Sequence, residues 1–275
     1  MQRGEPLPRV WLAPGAVSDP RALHRFGPLT GIPLALGPVV TGATTPGPLV
    51  HGQGVGGLEH QDHPGYAATE ALDLLRWCAT RGLTAVLAVR GRTSGELADV
   101  VDAIRRSVDA DALGAVEVDL RGSDDQTVLK CMARVREAAP RNLLLLTRLS
   151  ALQPDLVAAA RGAVAGGAGA VVVCGSVRLG PGRWWSGPST SAVSRAGVRH
   201  LAEAALERRW PAVPVVAAGG VHDVATARAA LAEGARAIQL GTALWADPTL
   251  LWTVRGALDD DPAPTTPSPE PRSTP

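Results

Sequence analysis

The chain has 275 residues, 45% of them hydrophobic and 19% charged, with a formal net charge of +1. That length supplies one large domain or two small ones, and the even charge balance gives no basis for a nucleic-acid partner. Three cysteines make no disulfide framework, no run reaches the ~18 apolar residues of a membrane span, and the opening MQRGEPLP lacks a signal peptide's apolar stretch. The expectation is a soluble, cytoplasmic protein acting on a small molecule. Lys130 is the only lysine and Asn142 the only asparagine, so any mechanism needing either residue type elsewhere is excluded.

Residues 1–8 read as a flexible N-terminus. From there apolar runs recur at Val10–Ala13, Leu34–Val40, Thr84–Val89, Ala115–Asp119, Leu143–Arg148, Ala170–Cys174, Pro214–Ala218 and Ala237–Leu240. Each is apolar on both alternating faces, as a buried parallel strand is. Between most of them lie alanine-rich stretches with apolar residues at intervals of three and four, the helical period: Thr69–Thr80, Gly95–Arg106, Thr127–Ala138, Leu152–Ala165, Ala192–Arg208 and Val224–Glu233. Eight strands alternating with helices predict a (β/α)8 TIM barrel over residues 9–258. An open doubly wound sheet is the alternative, but no GxGxxG follows the first strand. The last stretch, 259–275, has no apolar residue larger than alanine and reads as a disordered proline-rich tail.

In such barrels ligands sit at the carboxyl ends of the strands, and the loops after strands seven and eight commonly hold a phosphate. Those loops contain Gly219-Gly220 and Gly241-Thr242. Glycine lets backbone N–H groups approach phosphate oxygens, and Thr242 adds a hydroxyl donor. The plain alternative is that these are only tight turns.

The stretch Ser186-Gly187-Pro188, Val215 to Val221, Gly234-Ala235, Gly241-Thr242-Ala243 and Asp247-Pro248 resembles the C-terminal part of the dihydroorotate dehydrogenases. These are FMN-dependent (β/α)8 barrels that oxidise dihydroorotate. Weaker similarities run upstream through Leu12 to Gly15, Val39 to Thr45 and Leu146 to Ser150. The resemblance implies FMN held by Ala13, Gly15, Thr44, Arg148, Ser186, Gly187, Gly219, Gly220, Gly241 and Thr242, and a homodimer. It also implies Arg148, where the family has lysine, as the cation beside reduced flavin; arginine keeps the charge but cannot lose it.

The sequence departs from that family where the substrate should sit. A lysine position is Gly42, and the base position falls on Gly122, leaving Ser123 one residue later. The asparagines that recognise orotate correspond to Gly57, Asp119, Asp124 and Gly175. Carboxylates there would repel an orotate carboxylate, so dihydroorotate is not the expected substrate. His51, His60 and His63 lie on the long segment after the second strand, a region that covers the flavin in the family; His60 and His63 join Ser123 as candidate proton-transfer groups. Trp184-Trp185 either cap a flat ligand or make packing or oligomer contacts. Cys78 and Cys131 read as small buried hydrophobes, Cys174 ends the sixth strand at the site mouth, and no cysteine spacing suggests a metal centre. The leading reading is an FMN-dependent oxidoreductase. A non-catalytic flavin- or phosphate-binding barrel and a flavin-free lyase or isomerase of a phosphate ester remain as alternatives.

Overall fold

The computed structural model describes residues 6–17, 19–40, 50–54, 56–61 and 65–260. In chain order the strands are β1 (Val10–Leu12), β2 (Leu34–Val39), β3 (Val50–Gly54), β4 (Gly57–Gln61), β5 (Ala85–Val89), β6 (Leu113–Asp119), β7 (Leu144–Ser150), β8 (Ala170–Cys174), β9 (Val177–Gly180), β10 (Arg183–Ser186), β11 (Val215–Ala218) and β12 (Ala237–Leu240). The helices are α1 (Ala68–Ala79), α2 (Ser94–Arg105), α3 (Asp125–Ala138), α4 (Leu156–Ala165), α5 (Ser191–Leu206), α6 (Val224–Ala232) and α7 (Leu250–Asp259).

The eight apolar runs form a closed barrel in the order β1-β12-β11-β8-β7-β6-β5-β2. All neighbours are parallel. Closure comes from β1, which pairs with β12 (Val10↔Ile238, Leu12↔Leu240) and with β2 (Leu12↔Leu34). The chain is therefore a (β/α)8 barrel. Two units are irregular. A six-residue 3-10 helix, Pro20–Arg25, stands where a helix would follow β1. The short 3-10 helix Thr242–Trp245 separates β12 from α7. Helix α7 carries the ordered chain through Asp259, one residue into the stretch expected as tail; residues 261–275 lie outside the described ones.

Side-chain alternation divides the barrel interior into two levels. Inward positions near the amino ends are apolar: Trp11, Val86, Ala115, Leu144, Ala170 and Ala237 pack there together. Burying a leucine such as Leu144 contributes about 1.5–3 kcal/mol. At the carboxyl ends the same strands turn polar, with Glu117 and Asp119 on β6, Arg148 on β7, Cys174 on β8 and Gln239 on β12 lining one cavity. Four of the helices, α2, α3, α4 and α6, start from side-chain caps that shape the loops around it. Thr93, Asp124, Asp155 and Asp223 each accept a backbone N–H three residues on, at 2.7–3.1 Å. Such a cap contributes about 1 kcal/mol.

The sequence gives no sign of a second sheet. Strands β3 and β4 from the segment after β2, and β9 and β10 from the loop after β8, form a four-stranded sheet of order β3-β4-β10-β9. The central pair is antiparallel, with Trp184 opposite His60 and Ser186 opposite Leu58. Two loops from well-separated positions around the barrel are thereby locked together above its mouth.

Candidate active site

The cavity at the carboxyl ends of the barrel strands has an empty volume of about 1040 Å3, counting the solvent open at its mouth. Its floor is a closed ring of three buried side chains. Arg148 Nε donates to Glu117 Oε1 at 2.6 Å, Gln239 Nε2 donates to Glu117 Oε2 at 2.6 Å, and Arg148 Nη2 donates to Gln239 Oε1. Glu117 and Gln239 are each 1% exposed and Arg148 is 8% exposed. Burial acts to lower the Arg148 pKa, but Glu117, with Cys174 and Asp119 behind it, together outweigh this and hold it above the ordinary arginine value. Arginine has five N–H donors. Those not spent on Glu117 and Gln239 are what Arg148 offers to a ligand. The ring also changes the electrostatic role expected of Arg148: its charge is matched by Glu117, so it acts as an oriented donor more than as an isolated cation.

Beside the ring lies a second ion pair. Arg121 Nε donates to Asp119 Oδ1 at 2.8 Å and Arg121 Nη2 to Asp119 Oδ2 at 2.7 Å, a fork-to-fork contact. Burial works to raise the Asp119 pKa, but Arg121 and then Arg148 overcome it and hold the carboxyl at about 2. The Arg121 guanidinium stacks over the Trp184 ring at 3.9 Å from its centroid. This explains why adjacent indoles do not act as a pair. Alternation on β10 turns Trp184 inward, 7% exposed. It turns Trp185 to the other face, against Gly54 and Gly57, where its Nε1 donates to Ser189 Oγ at 2.8 Å.

The opposite wall is built of glycine. Gly219 and Gly220 follow β11 with φ of +92° and +77°. A Cβ on Gly220 would stand 2.2 Å from the Ser191 nitrogen, so only glycine can follow this path. Gly241 differs: its Cβ would meet only Ala13 Cβ, at 3.6 Å. No other contact among the described residues crowds that position, and Gly241 leads into the 3-10 helix Thr242–Trp245, whose first N–H groups have no intrahelical acceptor and no side-chain cap. Such a helix start between these two glycine loops is the phosphate cradle of many barrels. Ala13 and Gly15 close a third side.

The structure thus brings Ala13, Gly15, His60, Arg148, Ser186, Gly187, Gly219, Gly220, Gly241 and Thr242 to one cavity. Thr44, His63 and the side chain of His51 lie outside the described residues. Ser123 is not among the lining residues. Its N–H donates to Leu120 O at 3.1 Å and its carbonyl accepts from Gln153 Nε2 at 2.7 Å, just ahead of the Asp124 cap. Asp124 itself is spent on capping α3.

Several lining residues escaped the sequence reading: Glu117, Gln239, Arg121, His222, whose Nδ1 lies 2.7 Å from Gly220 O, and Trp245. For Glu117 and Gln239 a signal existed. Each interrupts an apolar run, Ala-Val-Glu-Val and Ala-Ile-Gln-Leu, and a buried polar group in such a run implies a partner. Among the described residues no group of three His, Cys, Asp or Glu could hold a metal ion, and no helix is long and apolar enough to cross a membrane.

No curated protein matches the chain. Residues 143–247 match the family model of nitronate monooxygenase, an FMN-dependent family. The matched segment carries Arg148, Cys174, Ser186, both glycine loops and Thr242, which is most of the cavity wall. The match does not extend to dihydroorotate dehydrogenases in particular. The matched segment spans 105 of the 275 residues, and with the closed parallel barrel it makes the chain similar to an FMN-dependent (β/α)8-barrel family over that stretch.

Proposed function

We propose that this chain is an FMN-dependent oxidoreductase acting on a small organic anion. The observation that carries the reading is convergence: the loops that follow β1, β11 and β12 meet Arg148 of β7 and Ser186 of β10 in one cavity. The residues suit the group. Gly219, Gly220, Gly241 and Thr242 would hold the phosphate by backbone and hydroxyl donors. Ala13 and Gly15 present a wall without bulky side chains, and Arg148 offers donors from the floor, fixed in direction by Glu117 and Gln239. When bound, FMN supplies the hydride- or electron-accepting chemistry that no side chain here can supply.

The protein's own part is to orient the substrate, exclude water and handle its proton. The cap sheet roofs the cavity and carries His60 into it. Three arginines, Arg90, Arg121 and Arg148, share that lining with only two carboxylates, Glu117 and Asp119. That excess of positive groups favours an anionic substrate alongside a phosphate. A nitronate, as in the name of the matched family, is one such anion. The resemblance to dihydroorotate dehydrogenases favours a hydride transfer of the CH–CH type, but on another substrate, since Asp119 and Gly57 offer no amide donors to an orotate. The test is the visible spectrum of the purified protein, release and identification of its flavin, then reduction with candidate substrates. A protein that neither contains nor takes up FMN refutes the reading.

A further inference from the structure

The proposed phosphate cradle is built of neutral donors: backbone N–H groups at Gly219, Gly220 and Gly241, and the Thr242 hydroxyl. The arginines of the cavity, Arg90, Arg121 and Arg148, come from β5, β6 and β7 or the loops after them, strands that pair with neither β11 nor β12. Arg148 meets β12 at Gln239, in the floor. In the stretches Gly219-Gly220-Val221-His222-Asp223 and Gly241-Thr242-Ala243-Leu244-Trp245, one side chain can carry positive charge, that of His222. His222 lines the same cavity, and its side chain is 34% exposed.

The fold holds this residue in place from both sides. Before it, Gly220 is pressed against the start of α5, where a Cβ would stand 2.2 Å from the Ser191 nitrogen, and Val221 is buried in the core. At His222 itself the backbone N–H donates to Thr226 Oγ1 at 3.1 Å, beside the capping box that opens α6. The ring is anchored through Nδ1, which lies 2.7 Å from the Gly220 carbonyl oxygen. A carbonyl oxygen only accepts, so Nδ1 is the donor.

Nε2 is left to the cavity side of the loop. Asp223 Oδ2 stands 3.8 Å away, beyond hydrogen-bond distance, and the Asp223 carboxylate already accepts from the Thr226 N–H and hydroxyl. Among the described residues Nε2 has no hydrogen-bond partner. The remaining carboxylates of the cavity, Glu117 and Asp119, are paired with Arg148 and Arg121.

We propose that His222 is a phosphate ligand: Nε2 donates to an oxygen of the phosphate held by the two glycine loops, and the cavity thereby prefers a phosphorylated flavin over one without phosphate. With Nδ1 on Gly220, Nε2 donates as imidazolium, the form that an adjacent phosphate dianion favours, and its proton comes from solvent. A hydrogen bond between two charged partners is roughly twice as strong as a neutral one. The anchored ring also loses little freedom when the ligand arrives.

The inference rests on the proposed function for the identity of the flavin, not for the phosphate contact. The test is the affinity for FMN and for riboflavin, read by quenching of flavin fluorescence, in the native protein and two variants. Asparagine places an amide nitrogen where Nδ1 stands and leaves nothing at Nε2; glutamine reaches the Nε2 position instead. His222→Asn should weaken FMN binding about tenfold, ~1.4 kcal/mol, and leave riboflavin binding unchanged. His222→Gln should recover part of the loss. FMN affinity unchanged in His222→Asn overturns the inference, and so does an equal loss for both flavins, which would mean that the ring only shapes the loop. If the native protein binds neither flavin, the same variants are compared by thermal stabilisation with inorganic phosphate. A stabilisation that His222→Asn loses keeps the phosphate ligand and removes the flavin reading; equal stabilisation, or none in either protein, overturns the inference.

Discussion

Replacing Glu117 by leucine tests the floor of the site. The carboxylate accepts two bonds of 2.6 Å, from Arg148 and Gln239, and is 1% exposed. Its loss leaves a guanidinium that is 8% exposed without its counter-charge, and Gln239 Nε2 without its acceptor. Breaking a buried pair in this way costs about 3–5 kcal/mol. For a domain of this size 1 kcal/mol moves the melting temperature by roughly 2–4 °C, so a fall on the order of 10 °C follows. The triple replacement Glu117→Leu, Arg148→Met, Gln239→Leu removes all three polar groups together and should recover most of that loss, because a buried ionic network often contributes little net stability over an apolar one. Flavin affinity should fall in both proteins. Thermal unfolding followed by circular dichroism, with flavin content measured in parallel, separates the two effects. A Glu117→Leu protein within about 1 kcal/mol of the native one, well below the range for a broken buried pair, would refute the coupling of the three side chains.

Three further outcomes follow from the geometry. Gly241→Asp should leave the fold intact, since its Cβ meets only Ala13 at 3.6 Å, and should abolish FMN binding by placing a carboxylate in the phosphate cradle; unchanged cofactor content means the cradle is elsewhere. Ser123→Ala should leave substrate turnover unchanged, because Ser123 does not line the cavity; a large loss would return the proton-transfer role to that loop. The Asp119–Arg121 pair should make stability depend on acid. The carboxyl ionises at about 2 in the fold against 3.8 ordinarily, so its contribution is complete above about pH 4 and is lost as pH falls toward 2, on the order of 2 kcal/mol in all. Arg121→Met should flatten that part of the stability–pH curve, and a curve with the native slope would show that the pair carries none of it.

The barrel was legible in the sequence because its strands are buried on both faces, so each shows as an uninterrupted apolar run such as Ala170-Val-Val-Val-Cys174. The two glycine loops were legible because they punctuate those runs at a fixed place in the repeat. The cap sheet was not. Its strands Val-His-Gly-Gln-Gly and Gly-Leu-Glu-His-Gln are short, polar and glycine-rich, and their pairing depends on β10, more than 120 residues away in the chain. The ring of Glu117, Arg148 and Gln239 was hidden for a related reason. Glu117 and Arg148 sit on the paired strands β6 and β7, but β12 neighbours neither, and Gln239 reaches them only across the lumen of a closed barrel. The role of Trp184 and Trp185 turned on strand alternation, which a reading of that segment as a loop does not supply. Register with a family points to Ser123, but the Asp124 cap and the Gln153 contact set its position.

Whether the cavity holds FMN is read from the visible absorption spectrum of the purified protein before and after adding FMN. Bound FMN gives a flavin spectrum that is bleached by photoreduction, and the flavin is released as FMN on denaturation. A colourless protein that fails to take up added FMN would contradict the FMN reading, leaving the barrel and its glycine cradle to serve a different phosphate ligand.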